Sequence, residues 1–345
     1  MKQDGTKVRF GVIGTNYITG KMLAGAKEDE RFILTAVCSR TKTRGETFVQ
    51  EQGYSLEKDG VKVFTSVEEM AESPVVDAVY VASPNSLHAQ QSIACMKQGK
   101  HVLCEKPLAS NVTEASAMIA ASLQYNVTLM EAMKPTLTPN FLALRDNIHR
   151  IGKIRRYFSC YCQYSSRYDD LKNGIVQNAF NPALSNGAMS DIGVYTVYPM
   201  VVLFGYPKRI EATGLLLSSG TDGQGAINFL YDEMMGTVLY SKIADSSLPT
   251  EFQGEEGTIT LDRINIISRL TLTSRSGRAV ETLTRPVEKN EFYYEVSEFI
   301  NLLLAGKRES SINSHSNSLN TIRIIDEVRR QLGVAYPADA HLLQG

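Results

Sequence analysis

Val8-Arg9-Phe10-Gly11-Val12-Ile13-Gly14-Thr15-Asn16-Tyr17-Ile18-Thr19-Gly20 is the stretch whose reading decides the fold. Its first six residues are apolar on both faces apart from Arg9, the pattern of a strand buried inside a parallel sheet. Gly14 ends that strand, and a helix is predicted immediately after it. The motif therefore runs strand, tight turn, helix. Working outward, β-rich runs recur at 32–38, 76–82 and 101–104, with helices predicted near 17–27, 41–52, 66–72 and 86–98. A helix at 113–125 and a strand at 127–130 complete the series. Strands alternating with helices predict a doubly wound parallel sheet, an α/β dinucleotide-binding Rossmann domain over residues 1–130.

Beyond residue 150 the rhythm changes. Strands are predicted at 154–164, 209–218, 226–231, 237–243 and 258–261, several joined by turn residues with no helix between them. Gly254-Glu255-Glu256-Gly257 and Ser276-Gly277 read as hairpin turns. A helix is predicted at 186–204, stopped by Gly205 and Pro207. Two more close the chain, one with Phe292, Val296, Phe299, Ile300 and Leu303 on a single face, the other with Leu319, Ile322, Ile325 and Val328. Residues 131–345 are thus expected to form an α+β domain, an open, mostly antiparallel sheet serving substrate binding and oligomerisation. A sheet face without helices is either solvated or covered by another subunit, which predicts a homodimer or homotetramer.

Composition excludes several functions. Of 345 residues 43% are hydrophobic and 21% charged, enough for packed cores. Thirty-six Lys+Arg against 37 Asp+Glu leave a formal charge of −1, which argues against a nucleic-acid or membrane surface recognised mainly through charge. No apolar run reaches the ~18 residues of a spanning helix, and 1–6 lacks a signal-peptide core. The five cysteines show neither CxxC nor an evident paired spacing, so reduced thiols in a cytoplasm are expected. His88, His101, His149, His315 and His341 are scattered without ligand spacing, so no metal centre is expected.

Three constellations carry chemistry. Aligned from Gly14, the first loop offers Gly14, Asn16 and Thr19 where a dinucleotide fingerprint has G-x-G-x-x-G/A, so only the first position matches. Asn16 is the kind of residue that tolerates positive φ, and the helix behind it presents N–H groups to an anion; an ordinary βα turn reads the same way. The second constellation sits at strand ends, where open α/β sheets bind ligands: Ser83-Pro84-Asn85-Ser86-Leu87-His88, and Glu105-Lys106-Pro107. Lys106 is either a solvated lysine or a donor to a substrate hydroxyl, and His88 either a polar helix-start residue or a ligand. In the third, Gly187-x-x-x-Asp191-x-Gly193-x-Tyr195, Asp191 and Tyr195 fall on one helix face at i, i+4. They suit proton exchange with an alcohol, or merely a surface hydrogen bond. Gly193 leaves room for a backbone or a ligand to approach.

Together these segments resemble the Gfo/Idh/MocA oxidoreductases, two-domain nicotinamide-dependent dehydrogenases of sugars, polyols and related alcohols. The likeness runs along essentially the whole chain. Leu129-Met130-Glu131-Ala132 and the Asp191 to Tyr195 spacing are particularly similar to the dihydrodiol dehydrogenase and glucose–fructose oxidoreductase branches. Two departures stand out: Asn16 replaces the usual second glycine, and Tyr195 stands where inositol dehydrogenases carry histidine, which speaks against an inositol substrate. The resemblance implies that Gly14, Asn16, Tyr17 and Ile18 line the pyrophosphate loop, that Ser83, Pro84, Asn85 and His88 border the nicotinamide, and that Glu105 and Lys106 bracket nicotinamide and ribose. It implies that Lys106 also touches the reacting hydroxyl, with Asp191 and Tyr195 delivered by the second domain, and that the Lys106–Pro107 bond is often cis. The expected activity is hydride transfer between a nicotinamide and a hydroxylated small molecule; the alternative is a catalytically silent dinucleotide-binding regulator, which would not need Lys106, Asp191 and Tyr195 together.

The residues themselves suggest which nicotinamide. An NAD site places a carboxylate at the end of the second strand for the ribose 2′-OH. Here no Asp or Glu occurs from Arg31 to Gly45, and Ser39 and Arg40 stand where a 2′-phosphate would be paired. The cofactor is therefore expected to be NADP, with NAD possible.

Overall fold

The computed structural model describes residues 7–277 and 279–341. The chain divides into two compact units, one made of residues up to Ala109 with Thr113–Lys134 and Glu288–His315, the other of Ser110–Val112, Pro135–Val287 and the rest from Ser316. Each is described by itself.

In the first unit, β1 (Val8–Ile13), β2 (Phe32–Cys38), β3 (Lys62–Phe64), β4 (Ala78–Val81), β5 (His101–Glu105) and β6 (Leu129–Ala132) form a parallel sheet in the order β3-β2-β1-β4-β5-β6. Helices α1 (Tyr17–Ala26), α2 (Lys42–Glu51), α3 (Val67–Glu72), α4 (His88–Lys97) and α5 (Val112–Tyr125) connect the strands. The strand order reverses at β1/β4, and the crevice outside the carboxyl ends there is the ligand position of this fold. Strands β4 and β6 are buried at every residue; β4 accordingly reads as a continuous apolar run, while β6 carries the buried Glu131. Strand β3 was not anticipated; three residues at a sheet edge carry too little periodicity to register.

The unit is completed from far down the chain. Helix α6 (Pro139–Asn147), helix α7 (Ser166–Lys172), α8 (Val194–Phe204) and α10 (His315–Leu332) belong wholly or mainly to the second unit, but α9 (Tyr293–Leu304) packs on α1. Phe299 meets Phe10 at 5.9 Å between ring centroids, and Arg31 donates to Asn301 at 2.7 Å and Ser297 at 3.1 Å. The backbone N–H of Leu129 donates to the carbonyl of Arg308. The division expected at residue 130/131 thus meets a structure in which 288–315 returns to the first unit. An amphipathic helix shows which face it buries but not against what, so sequence order alone does not show where this segment packs.

The second unit holds an eight-stranded sheet in the order β14-β13-β12-β11-β7-β10-β9-β8: β7 (Ile154–Cys162), β8 (Arg209–Leu216), β9 (Asp222–Leu230), β10 (Met235–Ser241), β11 (Thr250–Gly254), β12 (Gly257–Leu261), β13 (Leu270–Ser274) and β14 (Val280–Thr282). All neighbours are antiparallel except β7 and β10. Both predicted turns link hairpins, β11–β12 and β13–β14. Tyr157, deep in β7, donates its hydroxyl to the Thr196 carbonyl of α8 at 2.7 Å. At the β8 edge Gln331 of α10 accepts from Ala212 N–H at 2.7 Å and donates to the Ile210 carbonyl at 2.8 Å, satisfying backbone groups an edge strand leaves open. The stretch Pro182–Phe204 is long and apolar enough to cross a membrane by length and composition, but 67% of its apolar window is buried inside the protein.

Candidate active site

At the β1–α1 turn Gly14 has φ +100°, and a Cβ there would lie 2.7 Å from the Ala82 carbonyl oxygen, so a side chain is excluded both by conformation and by space. Asn16 does not take the positive φ expected of it. Its φ is −98°, and it caps α1 instead, accepting from Thr19 N–H at 3.1 Å while its amide donates to the Ala82 carbonyl at 2.6 Å. Gly14 alone makes the turn, and Asn16 ties it to the end of β4. Tyr17 is 77% exposed, its ring 5.3 Å from the Lys21 ammonium, and Ile18 follows in the first turn.

Ser39 is buried, its N–H bonded to the Phe64 carbonyl, while Arg40 is exposed at the end of β2. Sequence reasoning missed Arg44, one helical turn on. It donates to the Thr15 carbonyl at 2.9 Å and to Glu51 at 3.1 Å, joining α2 to the glycine turn. With Asn16, Tyr17, Lys21, Phe48 and Gln52 it lines an open pocket of about 320 Å³. Its four-residue spacing from Arg40 was the available signal.

At the end of β4 the Ser83 hydroxyl is buried with no hydrogen-bond partner among the described residues, and Pro84 and Asn85 carry the chain into a short 3₁₀ turn. His88 is fully buried, its ring held between the carbonyls of Ser83 at 2.9 Å and Pro107 at 3.0 Å. Burial holds its pKa below the ordinary imidazole value. It clamps the β4 loop to the β5 loop. The Lys106–Pro107 peptide is cis. Glu105 accepts from the Tyr80 hydroxyl and from the Lys106 N–H at 3.2 Å; burial raises its pKa, against the lowering pull of Lys106. Lys106 itself is half-buried. These groups fit a dinucleotide: a glycine turn at the sheet's switch point, a helix N-terminus, an unpaired buried hydroxyl and a basic β2–α2 loop without carboxylates.

In the second unit the Asp191 segment is not an α-helix throughout. Met189–Gly193 is wound as a π turn that runs directly into α8. Asp222, buried, accepts from Met189 N–H at 2.7 Å; Ser190 meets the Tyr336 hydroxyl at 2.9 Å, and Thr196 donates to the Gly193 carbonyl at 2.6 Å. The space at Gly193 belongs to the protein itself, since a Cβ there would lie 2.7 Å from the Met189 sulfur and 3.2 Å from the Tyr240 ring. Asp191 forms an ion pair with Lys242, whose side chain is only 5% exposed and whose ammonium lies 5.3 Å from the Phe180 ring centroid. Lys242 was missed from the sequence, because fifty-one residues separate it from Asp191 and nothing local marks it. The Tyr195 ring meets Tyr161 of β7 edge-on at 5.8 Å. Among the described residues no cluster of three or more His, Cys, Asp or Glu could hold a metal.

A parallel sheet with a dinucleotide turn, joined in one chain to an open sheet carrying an acid, a buried lysine and a tyrosine, defines a two-domain nicotinamide oxidoreductase. The chain belongs to the Gfo/Idh/MocA family: residues 8–133 match its oxidoreductase domain with NAD-binding Rossmann fold, and 142–260 match a Gfo/Idh/MocA C-terminal domain. It is 47% identical over 96% of its length, and 99% of the relative's, to scyllo-inositol 2-dehydrogenase (NADP(+)) IolU of Bacillus subtilis (strain 168). It is 29% identical to trans-1,2-dihydrobenzene-1,2-diol dehydrogenase of Danio rerio, over 90% of this chain and 92% of that one. In fold it is similar to the aldose-aldose oxidoreductase of Caulobacter crescentus, with TM-score 0.82 at 21% identity, covering 94% of this chain and 97% of the other. A silent regulator finds no support among these relatives.

Proposed function

We propose that the protein is a cytoplasmic NADP-dependent dehydrogenase acting on a ring hydroxyl of a cyclic polyol or sugar, with NAD as a weaker substitute. The observation that carries the reading is the Lys242–Asp191 pair set on a π turn beside Tyr195, in a chain whose other unit holds the dinucleotide turn. The NADP preference is supported by Arg40 on a β2–α2 loop without carboxylates, by Arg44 in the first turn of α2, and by the cofactor in the name of the 47% identical relative. Tyr195 was read as speaking against an inositol; a relative this similar that acts on scyllo-inositol removes that ground, and scyllo-inositol becomes the first substrate to test.

Gly14, Asn16, Tyr17 and Ile18 would hold the pyrophosphate, Ser39, Arg40 and Arg44 the 2′-phosphate, and Ser83, Pro84, Asn85 and Glu105 the nicotinamide end. When bound, the nicotinamide supplies the hydride acceptor. Lys106 donates to the reacting hydroxyl oxygen and fixes its orientation. Tyr195 takes the hydroxyl proton at Oη, and Asp191, held by Lys242, orients the carbinol by accepting from a neighbouring hydroxyl. His88 positions the two loops beside the nicotinamide end.

Leu215, Met235 and Leu230, between 39% and 51% exposed on the sheet, support a homodimer or homotetramer, read by sedimentation velocity. All five cysteines are free thiols. The test of function is a panel of scyllo-inositol, myo-inositol, glucose and a trans-dihydrodiol with NADP⁺ or NAD⁺, followed by absorbance of the reduced cofactor. Turnover of a ring hydroxyl, faster with NADP⁺, is expected. Binding of NADP⁺ without turnover of any member would overturn the proposal.

A further inference from the structure

Helix α9, which packs in the first unit, carries Glu295 with 0% exposure. Neither of its carboxyl oxygens has a hydrogen-bond partner among the described residues. The same interior holds a second buried carboxyl, Glu105 at the end of β5, which acts on Glu295 electrostatically. The two are treated very differently. Glu105 accepts from the Tyr80 hydroxyl of β4 and from the Lys106 N–H at 3.2 Å, bonds that favour an ionised carboxylate. Glu295 receives none. The cation of this interior is engaged by another acid: Lys134, just after β6, pairs with Glu291 at 2.5 Å, its ammonium 4.8 Å from the Phe292 ring centroid.

Two like charges are costly to hold together away from water, so at neutral pH the pair keeps one proton, and it rests on the carboxyl without donors. Burial pushes Glu295 well above the ordinary carboxylate range; Glu105 adds to this, Lys134 opposes it, and Glu291 adds again. The neighbouring elements bring few other charges. From β6 comes Glu131, which accepts from the Leu108 N–H at 3.0 Å. Helix α1 buries Thr19, Met22, Leu23, Gly25 and Ala26, none of which titrates, and β1 meets α9 through Phe10 and Phe299.

We propose that Glu295 is an uncharged carboxylic acid at neutral pH, leaving Glu105 as the one negative charge the pair presents to the nicotinamide end, and that this charge count sets the relative binding of oxidised and reduced nicotinamide. The inference rests on the place proposed for Glu105 at the nicotinamide end. The oxidised ring is a cation and the reduced ring is neutral, so a carboxylate nearby favours the oxidised form. One such charge helps to capture NADP⁺. A second would hold NADP⁺ against reduction and weaken NADPH by comparison. Glu295 acts through Glu105, as a positioning residue for charge. Ionising it and binding the cationic ring favour one another by linkage.

The test needs no turnover and uses the full chain. Infrared difference spectra of wild type against Glu295→Gln, recorded in heavy water at neutral pH, should show the band of a protonated carboxyl in the wild type alone. A carboxylate band in its place overturns the proposal. Kd for NADPH is read from the fluorescence of the reduced ring, and Kd for NADP⁺ by competition. At neutral pH Glu295→Gln, which matches the neutral acid in shape and charge, should leave the ratio of the two constants unchanged. Glu105→Gln should shift that ratio toward NADPH on the order of tenfold. At the pH where the infrared band disappears, wild type should favour NADP⁺ by a further factor on the order of tenfold, and Glu295→Gln should not. A ratio indifferent to Glu105→Gln, a flat ratio in wild type, or the same pH shift in both proteins overturns the link to the nicotinamide. Should Glu295→Gln fail to fold, the wild type alone decides, because loss of the band and shift of the ratio must fall at one pH. Stability gives a separate reading. Folded Glu295 holds its proton more tightly than the unfolded chain, where a glutamate titrates near ~4.3, so stability present below that value falls as pH rises. Glu295→Gln should remove that part of the fall in thermal melts, and an equal fall in both proteins overturns the neutral acid. If neither nucleotide binds, the nicotinamide reading fails, while the infrared band and the melts still decide where the proton sits.

Discussion

The two halves of the chemistry are built differently. In the first unit the candidate groups sit on loops at the ends of β1, β4 and β5, and main-chain groups hold them: Asn16 on the Ala82 carbonyl, His88 between the Ser83 and Pro107 carbonyls, Arg44 on the Thr15 carbonyl. In the second unit the candidate groups sit on a π turn and a helix, held largely by buried side chains: Lys242 on Asp191, Tyr336 on Ser190, Asp222 on the Met189 N–H. In the function proposed, the first arrangement serves a ligand that is the same across a large family, for which turn geometry suffices, and the second serves a particular hydroxylated substrate, for which side chains supply the specificity.

The largest effect tests whether the two halves act as a unit. Tyr195→Phe and Lys106→Met should each lower turnover by about 10²–10⁴-fold while NADP⁺ affinity, measured by titration, changes little in Tyr195→Phe. The double variant should lose no more than the worse single one; multiplied losses would show that the groups work independently. Full activity in Tyr195→Phe would pass the proton to Asp191 or to water.

Next comes the side-chain scaffold of the second unit. Asp191→Ala leaves the Lys242 ammonium buried without its partner and should cost about 3 kcal/mol in denaturant unfolding, besides its effect on turnover. Lys242→Met removes the buried charge instead. It should cost little stability yet lower turnover about tenfold, because Asp191 loses its orientation. Equal destabilisation by the two changes would mean that the pair is structural only.

The backbone scaffold of the first unit should break at a single atom. Gly14→Ala meets the Ala82 carbonyl at 2.7 Å in a positive-φ turn, and should cost about 1–3 kcal/mol and abolish nucleotide binding. Arg40→Ala is milder, weakening NADP⁺ about tenfold while sparing NAD⁺. Indifference to both nucleotides would remove the NADP preference.

The smallest effect is on pH. His88, His101 and His315 have pKa values lowered by burial, so the unfolded chain binds more protons than the folded one below the ordinary imidazole value of ~6.5. Stability present above that pH should be lost as pH falls from about 7 through the lower folded values. His88→Gln should flatten the fall seen in thermal melts, and an unchanged slope would show that the clamp is not responsible.

Lys106, Asp191 and Tyr195 stand together as a set only through the family resemblance; what the sequence by itself determined is the two rhythms of the chain, the first strand and its glycine turn, and most element positions. These are local signals, carried by periodicity, turn residues and short spacing. It also showed a basic β2–α2 loop, because the absence of carboxylates over 31–45 is visible without a fold. Tertiary structure decided what depends on distant residues meeting. It returned α9 to the first unit, made Asn16 a cap and left the turn to Gly14, turned His88 inward as a clamp, and gave Asp191 its lysine from β10's end. It also put Cys160 and Cys162 in contact on one face of a strand, where side chains two apart point the same way. A one-dimensional pattern specifies which face is buried, but the partner on that face is chosen only when the chain packs.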